Sequence, residues 1–168
     1  MDEKRAEQAA QVASSFLGLL KPSDDTYTKL LFWSGLLHEV GLVVSHSGYH
    51  KHAAYMVENA DLPGFTTREQ RVMSNLVLAQ KGNLRKVAEQ LNDSDFAKSV
   101  LALRLALMFM HARIEVAADE VRLRMKKGIE LEIRKEWVTQ HPTVAYWIDK
   151  EKECWSEVGV DFSVKLSS

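Results

Sequence analysis

The sequence predicts an α+β fold that is mainly α, in which a helical bundle is followed by a small three-stranded antiparallel sheet with one helix. Apolar residues recur every three or four positions through most of the first 115 residues, which is the spacing of a helix with one buried face. From residue 121 to residue 133, apolar and charged residues alternate instead, as in a strand with one buried face. We therefore place a helical domain at residues 1–115 and a small α/β subdomain, packed on it, at residues 116–168.

Four helices are predicted before residue 82. The apolar stripes and their stop signals place them from Asp2 to Lys21, from Asp24 or Asp25 through Gly41, from Gly48 to Asn59, and from Thr66 to about Gln80. His38 shares the apolar side of the second helix, so its side chain should point inward. Thr66 and Glu69 have the S/T-x-x-E spacing of a capping box, which starts the fourth helix, and Gln80 falls on the semi-buried face of that helix.

The next segment predicts a short helix at residues 83–91 and a long one that Ser94 caps and that runs through about His111. The long helix is apolar nearly all round, so it should be central. A hairpin follows, because a three-residue loop at Lys126–Gly128 pairs apolar with apolar and basic with acidic residues, with Gly128 supplying a left-handed residue. Pro142 can open a last helix through Trp155, and residues 158–166 alternate as a third strand.

Composition excludes several classes of protein. The net charge of -1 and the pI near 6.6 give no overall attraction to polyanions, so nucleic acid is not an expected partner and any polyanion must bind a local patch. A single cysteine, Cys154, favours a reducing compartment, and we expect a cytoplasmic protein. No apolar run reaches the ~18 residues of a membrane helix, and the N-terminus lacks the layout of a signal peptide, so no membrane association is expected.

Four of the six histidines lie in one run, LLHEVGLVVSHSGYHKHAAYMVENADLPGF, from Leu36 to Phe65. His38 stands beside Glu39, and imidazole and carboxylate groups gathered in this way can hold a metal ion that activates water. The alternative is that the histidines are hydrogen-bonded at a helix junction or donate to phosphate. The residues alone leave both interpretations open.

This run resembles the C-terminal region of the exopolyphosphatase and guanosine pentaphosphate phosphohydrolase family (Ppx/GppA). It follows the LHE-G, HS-G-H-HS-Y and DLPGF elements of that family, with Ala53 where serine is common. The hairpin, the EKECW helix and the last strand fit the same region. The resemblance implies a helical domain similar to the HD phosphohydrolase fold, followed by a small α/β segment.

The HD resemblance also implies where metal ligands would fall. The metal-binding His-Asp pair of that fold falls on His38 and Glu39, and the remaining ligand positions fall on Gln8, Gln80 and Leu107. Glutamines and a leucine are poor or impossible ligands for a divalent ion. We therefore predict that His38 and Glu39 are a vestigial pair, that no metal is bound and that the domain has no catalytic residues.

A phosphate-binding role remains for the histidine run. We predict that polyphosphate contacts His46, His50, Lys51, His52, Arg68 and Arg71. Histidine and lysine donate hydrogen bonds to phosphate oxygens, and the segment from Arg68 to Lys86 carries five basic residues against Glu69 alone. The alternative for this charge run is an ordinary solvated helix face.

The resemblance implies that hydrolysis belongs to N-terminal actin-like domains with magnesium, which we do not expect within this sequence. We expect this domain to bind inorganic polyphosphate or a guanosine polyphosphate, to form a homodimer and to work beside those catalytic domains without a cofactor of its own. Two alternatives stay open. One is an active HD-type metal phosphohydrolase built on His38 and Glu39, and the other is a dimerisation module that binds no ligand.

Overall fold

The computed structural model describes residues 3–116 and 120–168 and confirms an α+β fold that is mainly α. Residues 1–2, which include the predicted start of the first helix at Asp2, and residues 117–119, just after the predicted subdomain boundary at residues 115 and 116, lie outside the described residues. The helices are α1 Glu3–Leu20, α2 Thr26–Leu37, α3 Tyr49–Asn59, α4 Thr67–Leu78, α5 Ser94–His111, α6 Lys135–Gln140 and α7 Pro142–Ser156. The strands are β1 Arg122–Met125, β2 Ile129–Arg134 and β3 Phe162–Ser167.

The helical body is built around α1 and α5. Helix α1 packs against both α2 and α5, while α4 packs against α2 and α3. Helix α5 is buried along nearly its whole length, as its all-round apolar sequence predicts. A Cβ atom at Gly35 would lie only 2.7 Å from Cα of Ala10, so this glycine allows α1 and α2 to approach closely. That approach sets the end of α2 beside the first turns of α1.

The predicted capping box is confirmed. The Thr66 hydroxyl accepts from the Glu69 N–H at 3.0 Å, and the Glu69 carboxylate accepts from the Thr66 N–H at 2.9 Å. Three other details differ from the prediction. Helix α2 ends at Leu37, before Gly41, and a 3-10 turn, Val40–Val43, follows it. The segment predicted as a helix at residues 83–91 forms two 3-10 turns, Arg85–Val87 and Gln90–Asn92. Asp93, not Ser94, caps α5, because a carboxylate there accepts from two free N–H groups of the first turn.

The sheet has the order β1-β2-β3 and is mixed. The hairpin register is confirmed, with Arg122 opposite Glu132 and Met125 opposite Ile129. The prediction of a wholly antiparallel sheet is wrong, because β3 pairs parallel to β2. Two helices, α6 and α7, join these strands instead of the one predicted, and such a crossover returns the chain to the starting end of the sheet, as parallel pairing requires.

Gly128 has a different role from the one predicted. It is absent from the residues with positive φ, so it does not supply a left-handed turn. A Cβ atom at residue 128 would lie 2.9 Å from the carbonyl oxygen of Asp161, which precedes β3. The same carbonyl accepts from the Ile129 N–H at 2.7 Å. Glycine is therefore needed here because β3 approaches the hairpin closely.

One hydrophobic cluster joins the helices to the sheet. It contains Phe16, Phe109 and Leu105 of the helical body together with Leu131 of the sheet and Trp155 of α7. Phe16 and Phe109 meet edge to face, with ring centroids 5.9 Å apart. Within the described residues, no helix is both long enough and apolar enough to cross a membrane.

Candidate functional site

The histidine run lies where the end of α2 meets the start of α3. A 3-10 turn, Val40–Val43, follows α2, and a Cβ atom at Gly41 would lie 1.9 Å from the Tyr49 carbonyl oxygen. Only glycine fits at this contact, so the glycine of the LHEVG motif lets α3 lie directly against the turn. This close approach places Glu39 and His50 in neighbouring parts of the junction.

His38 is fully buried, as predicted from its place on the apolar side of the second helix. Its Nδ1 lies 2.6 Å from the Gly35 carbonyl oxygen, so Nδ1 carries the proton and donates. Its Nε2 faces Oε1 of Glu39 at 3.4 Å. Burial lowers the pKa of His38 more than the neighbouring Glu39 raises it, which keeps the imidazole neutral.

Arg5 of α1 completes this cluster. Its Nε lies 3.0 Å from Oε1 of Glu39, and its Nη2 donates to Nδ1 of His111 at 2.9 Å. An arginine can only donate, so His111 accepts at Nδ1 and is neutral. Burial, followed by the charge of Arg5, lowers the pKa of His111. The buried amide of Gln80 donates to the His38 carbonyl at 2.8 Å. We call Arg5, His38, Glu39, Gln80 and His111 the arginine network.

Sequence reasoning missed two members of this network. It considered Gln8 and Leu107, but Gln8 is exposed and Leu107 is buried among apolar side chains. Glu39 meets Arg5, one turn before Gln8, and Arg5 in turn meets His111, one turn after Leu107. Residues three or four apart share a helix face, so a search one turn to either side would have found both.

The arginine network offers little to a divalent cation. Its carboxylate, Glu39, is bound by the guanidinium of Arg5, and Nδ1 of His38 is occupied by the Gly35 carbonyl. Over residues 3–116 and 120–168, no three His, Cys, Asp or Glu side chains are arranged to hold a metal ion. The residues present therefore do not fit a metal that needs several anionic or imidazole ligands.

A second group lies around His50 and consists of His50, Lys51, Lys81 and Lys86, which we call the lysine cluster. Lys81 and Lys86 belong to the loop after α4, in which the Lys86 ammonium donates to the Lys81 carbonyl at 2.6 Å. The Lys81 ammonium lies 4.5 Å from the ring centroid of Tyr49, the residue before His50. His50 is buried, and its Nδ1 has no hydrogen-bond partner among the described residues.

The charges around His50 are predominantly positive. Burial, followed by the charges of Lys86, Lys81, Lys51 and Arg104, lowers the pKa of His50 to about 4. Burial, Arg104 and the other two lysines lower the pKa of Lys86 to about 8. None of the ion pairs found in the described part of the chain uses Lys51, Lys81 or Lys86.

Arg104 holds the loop that carries two residues of the lysine cluster. Its Nη1 donates to the Ala79 carbonyl at 2.8 Å, which fixes the start of the loop that carries Lys81 and Lys86. Its Nη2 pairs with Glu151 of α7 at 2.7 Å, and Trp155 also donates to Glu151 at 3.1 Å. Because Glu151 compensates Arg104, the uncompensated positive charge of this region belongs to the three lysines.

The structure separates the six residues predicted to bind polyphosphate. His50 and Lys51 belong to the lysine cluster. His46 is exposed beside the Tyr49 ring, at 6.2 Å between centroids, and His52 is half-buried on α3. Arg68 and Arg71 are exposed near the start of α4, whereas Lys81 follows its end. The helix rise places these arginines about 15 to 20 Å from Lys81 along the axis of α4.

Comparison with known proteins supports the resemblance seen in the histidine run. Residues 1–152 match the family described as Ppx/GppA phosphatase, domain III. The chain belongs to the Ppx/GppA phosphatase family. It is also similar to the guanosine-5'-triphosphate,3'-diphosphate pyrophosphatase of Pseudoalteromonas translucida (strain TAC 125), with 29% identity over 166 residues, covering 90% of this chain. The match covers 33% of that relative, so the chain spans about a third of its length.

Proposed function

We propose that this chain is the substrate-binding domain of a Ppx/GppA-type phosphohydrolase and that it binds a polyphosphate chain without hydrolysing it. The observation that carries the proposal is the lysine cluster, in which the charges of three lysines act on a buried histidine and no described ion pair neutralises them. Such a group attracts phosphate oxygens, which accept charge-assisted hydrogen bonds. The name of the relative supports a guanosine polyphosphate as the ligand. Inorganic polyphosphate presents the same phosphate oxygens and is the second candidate.

The arginine network supports the absence of catalysis in this domain. A metal phosphohydrolase needs an ion to activate water, and here the Arg5 guanidinium already compensates Glu39. We propose that His38 and Glu39 are a degenerate form of the HD-type metal pair. Hydrolysis, with magnesium, then belongs to actin-like catalytic domains of the parent protein. We also propose that the protein forms a homodimer. Exposed apolar side chains such as Val43, Val44 and Tyr55 are available for contacts between domains.

The direct test is titration of the purified chain with a medium-length polyphosphate at two salt concentrations. Binding through lysines should weaken at higher salt, because screening and counterion release oppose it. The charge-reversal variant Lys81→Glu/Lys86→Glu should weaken binding by at least about tenfold, since two favourable contacts become repulsive. The matched control Lys126→Glu/Lys127→Glu changes the charge equally at the exposed hairpin turn and should bind like the wild type.

Two further measurements separate the proposal from its rivals. The variant Arg68→Glu/Arg71→Glu reports whether a phosphate track extends along α4, and an unchanged affinity confines the site to the lysine cluster. Metal analysis of the purified protein tests catalysis. About one tightly bound Mn, Fe or Zn per chain, together with phosphatase activity, would overturn the non-catalytic assignment. Salt-independent or absent polyphosphate binding would leave only a dimerisation module.

A further inference from the structure

The ring of His46 is exposed and is not one of the hydrogen-bonded histidines. It lies in the loop between the 3-10 turn Val40–Val43 and the start of α3. Among the described residues, the histidine rings that form hydrogen bonds or ion pairs are those of His38, His111 and His141. The ring of His46 instead contacts an aromatic ring, that of Tyr49. His46 therefore presents an aromatic surface to solvent.

Tyr49 links this surface to the lysine cluster. The ring centroids of His46 and Tyr49 lie 6.2 Å apart, and the ammonium of Lys81 lies 4.5 Å from the same Tyr49 centroid. The ring of His46 and the ammonium of Lys81 can therefore be no further apart than the sum of these two distances. Tyr49 is itself held, because it is the first residue of α3 and its ring meets the buried ring of His50 edge to face at 6.3 Å. One tyrosine thus sets the spacing between an exposed ring and a phosphate-binding charge.

A nucleoside polyphosphate carries groups that match both ends of this arrangement. Its base and its phosphates are attached to one ribose, so a single sugar unit spans the distance between them. Nucleic-acid bases stack on aromatic side chains, histidine included, and phosphate oxygens accept hydrogen bonds from lysine. Inorganic polyphosphate has the phosphates but no aromatic group. Contact with the ring of His46 would therefore add affinity for one of the two candidate ligands and not for the other.

We infer that His46 stacks on the base of a nucleoside polyphosphate while the lysine cluster holds its phosphates, so that the domain prefers a guanosine polyphosphate to inorganic polyphosphate. This inference rests on the proposed function and names the class of ligand and the residue that selects it. It also replaces the role predicted for His46 from the sequence. A histidine that donated to phosphate would serve both ligands alike, whereas a stacked ring serves only the nucleotide.

The experiment is calorimetric titration of the purified chain with two ligands. One is guanosine-5'-triphosphate,3'-diphosphate, and the other is inorganic polyphosphate with the same number of phosphate groups. The wild type should bind the guanosine ligand at least about tenfold more tightly, which is the size of one base–aromatic contact. His46→Ala should lose this preference by weakening the guanosine ligand alone, with the affinity for inorganic polyphosphate unchanged.

Two further variants at position 46 separate stacking from hydrogen bonding. His46→Phe keeps a ring but has no donor, and it should retain the preference for the guanosine ligand. His46→Asn keeps a donor but has no ring, and it should lose the preference as His46→Ala does. The matched control is Tyr146→Ala, which removes an exposed ring from α7, where that ring contacts Trp147 and Lys150. This control should bind both ligands as the wild type does.

A second readout uses the wild type and observes the contact directly. NMR spectra of the complex should show a nuclear Overhauser effect between the guanine H8 proton and the ring protons of His46, whose signals are identified by their loss in His46→Phe. Equal wild-type affinity for the two ligands, or an equal loss of both in His46→Ala, would overturn the stacking role while phosphate binding by the lysine cluster stands. If neither ligand binds, the proposed function fails as well.

Discussion

The arginine network and the lysine cluster adjoin each other, yet they treat charge in opposite ways. In the first, the guanidinium of Arg5 meets the carboxylate of Glu39 and the nearby histidines are neutral. In the second, three lysines gather around a buried histidine with no described ion pair to offset them. A compensated cluster stabilises the fold, whereas an uncompensated one costs stability until a ligand arrives. The difference supports the proposal that phosphate binds the lysine cluster and not the arginine network.

The largest expected effect comes from breaking the compensated pair beneath the lysine cluster. Arg104→Met leaves Glu151 buried without its cation and should lower the free energy of unfolding by about 3 to 5 kcal/mol. The loop that carries Lys81 and Lys86 also loses its bond at the Ala79 carbonyl. Urea unfolding followed by the fluorescence of the four tryptophans measures the change.

The control is the double variant Arg104→Met/Glu151→Met, which removes both charges and leaves neither unpaired. Apolar side chains of similar size should recover most of the lost stability, because they avoid the cost of burying ions. If the double variant is as unstable as the single one, packing and not charge compensation explains the loss. The comparison between the two clusters would then lose its physical basis.

Acid should destabilise the protein through histidines of both regions. His38, His50 and His111 have folded-state pKa values below the ordinary value of about 6.5, so the unfolded chain binds protons more readily. Their stabilising contribution is complete above pH 6.5 and is lost as the pH falls, for His50 over the range down to about pH 4. Between pH 7 and pH 5 the free energy of unfolding should fall by up to about 2 kcal/mol for each histidine that stays neutral.

Urea unfolding at intervals between pH 7 and pH 5 checks this prediction. Repeating the measurement at a saturating concentration of polyphosphate separates the histidines. A bound anion should offset the loss of stability due to His50 and leave the losses due to His38 and His111. A stability that does not change over this range would show that the three rings are protonated equally well in the folded protein. That result would also remove the argument for neutral histidines in the arginine network.

The contacts that sequence could predict are those between residues close in the chain. The hairpin register follows from opposite charges on adjacent strands, and the capping box from two residues three apart, and both are confirmed. The direction of β3 depends on the path of α6 and α7, which no local pattern encodes. Likewise, Arg5 meets Glu39 only because α1 and α2 pack closely at Gly35. The run of basic residues from Arg68 to Lys86 is evident in the sequence, but helix α4 places the two ends of the run far apart.

The smallest expected effects are changes of opposite sign in the free energy of unfolding, for one variant in the arginine network and one in the lysine cluster. Arg5→Met leaves Glu39 without its guanidinium and should lower the free energy of unfolding by about 1 to 2 kcal/mol. Lys86→Met removes a partly buried ammonium that other cations repel, and should raise the free energy of unfolding by up to about 1 kcal/mol in the absence of ligand. Urea unfolding of both variants at pH 7 measures the two changes side by side.

Polyphosphate should then reverse the order of stability of the wild type and Lys86→Met. The ligand stabilises the wild type in proportion to its affinity, while Lys86→Met binds more weakly and gains less. The variant that is more stable when free should therefore become the less stable one at saturating ligand. If Lys86→Met destabilises the free protein as Arg5→Met does, Lys86 is a structural residue, and the uncompensated charge of the lysine cluster no longer identifies it as the site where a phosphate binds.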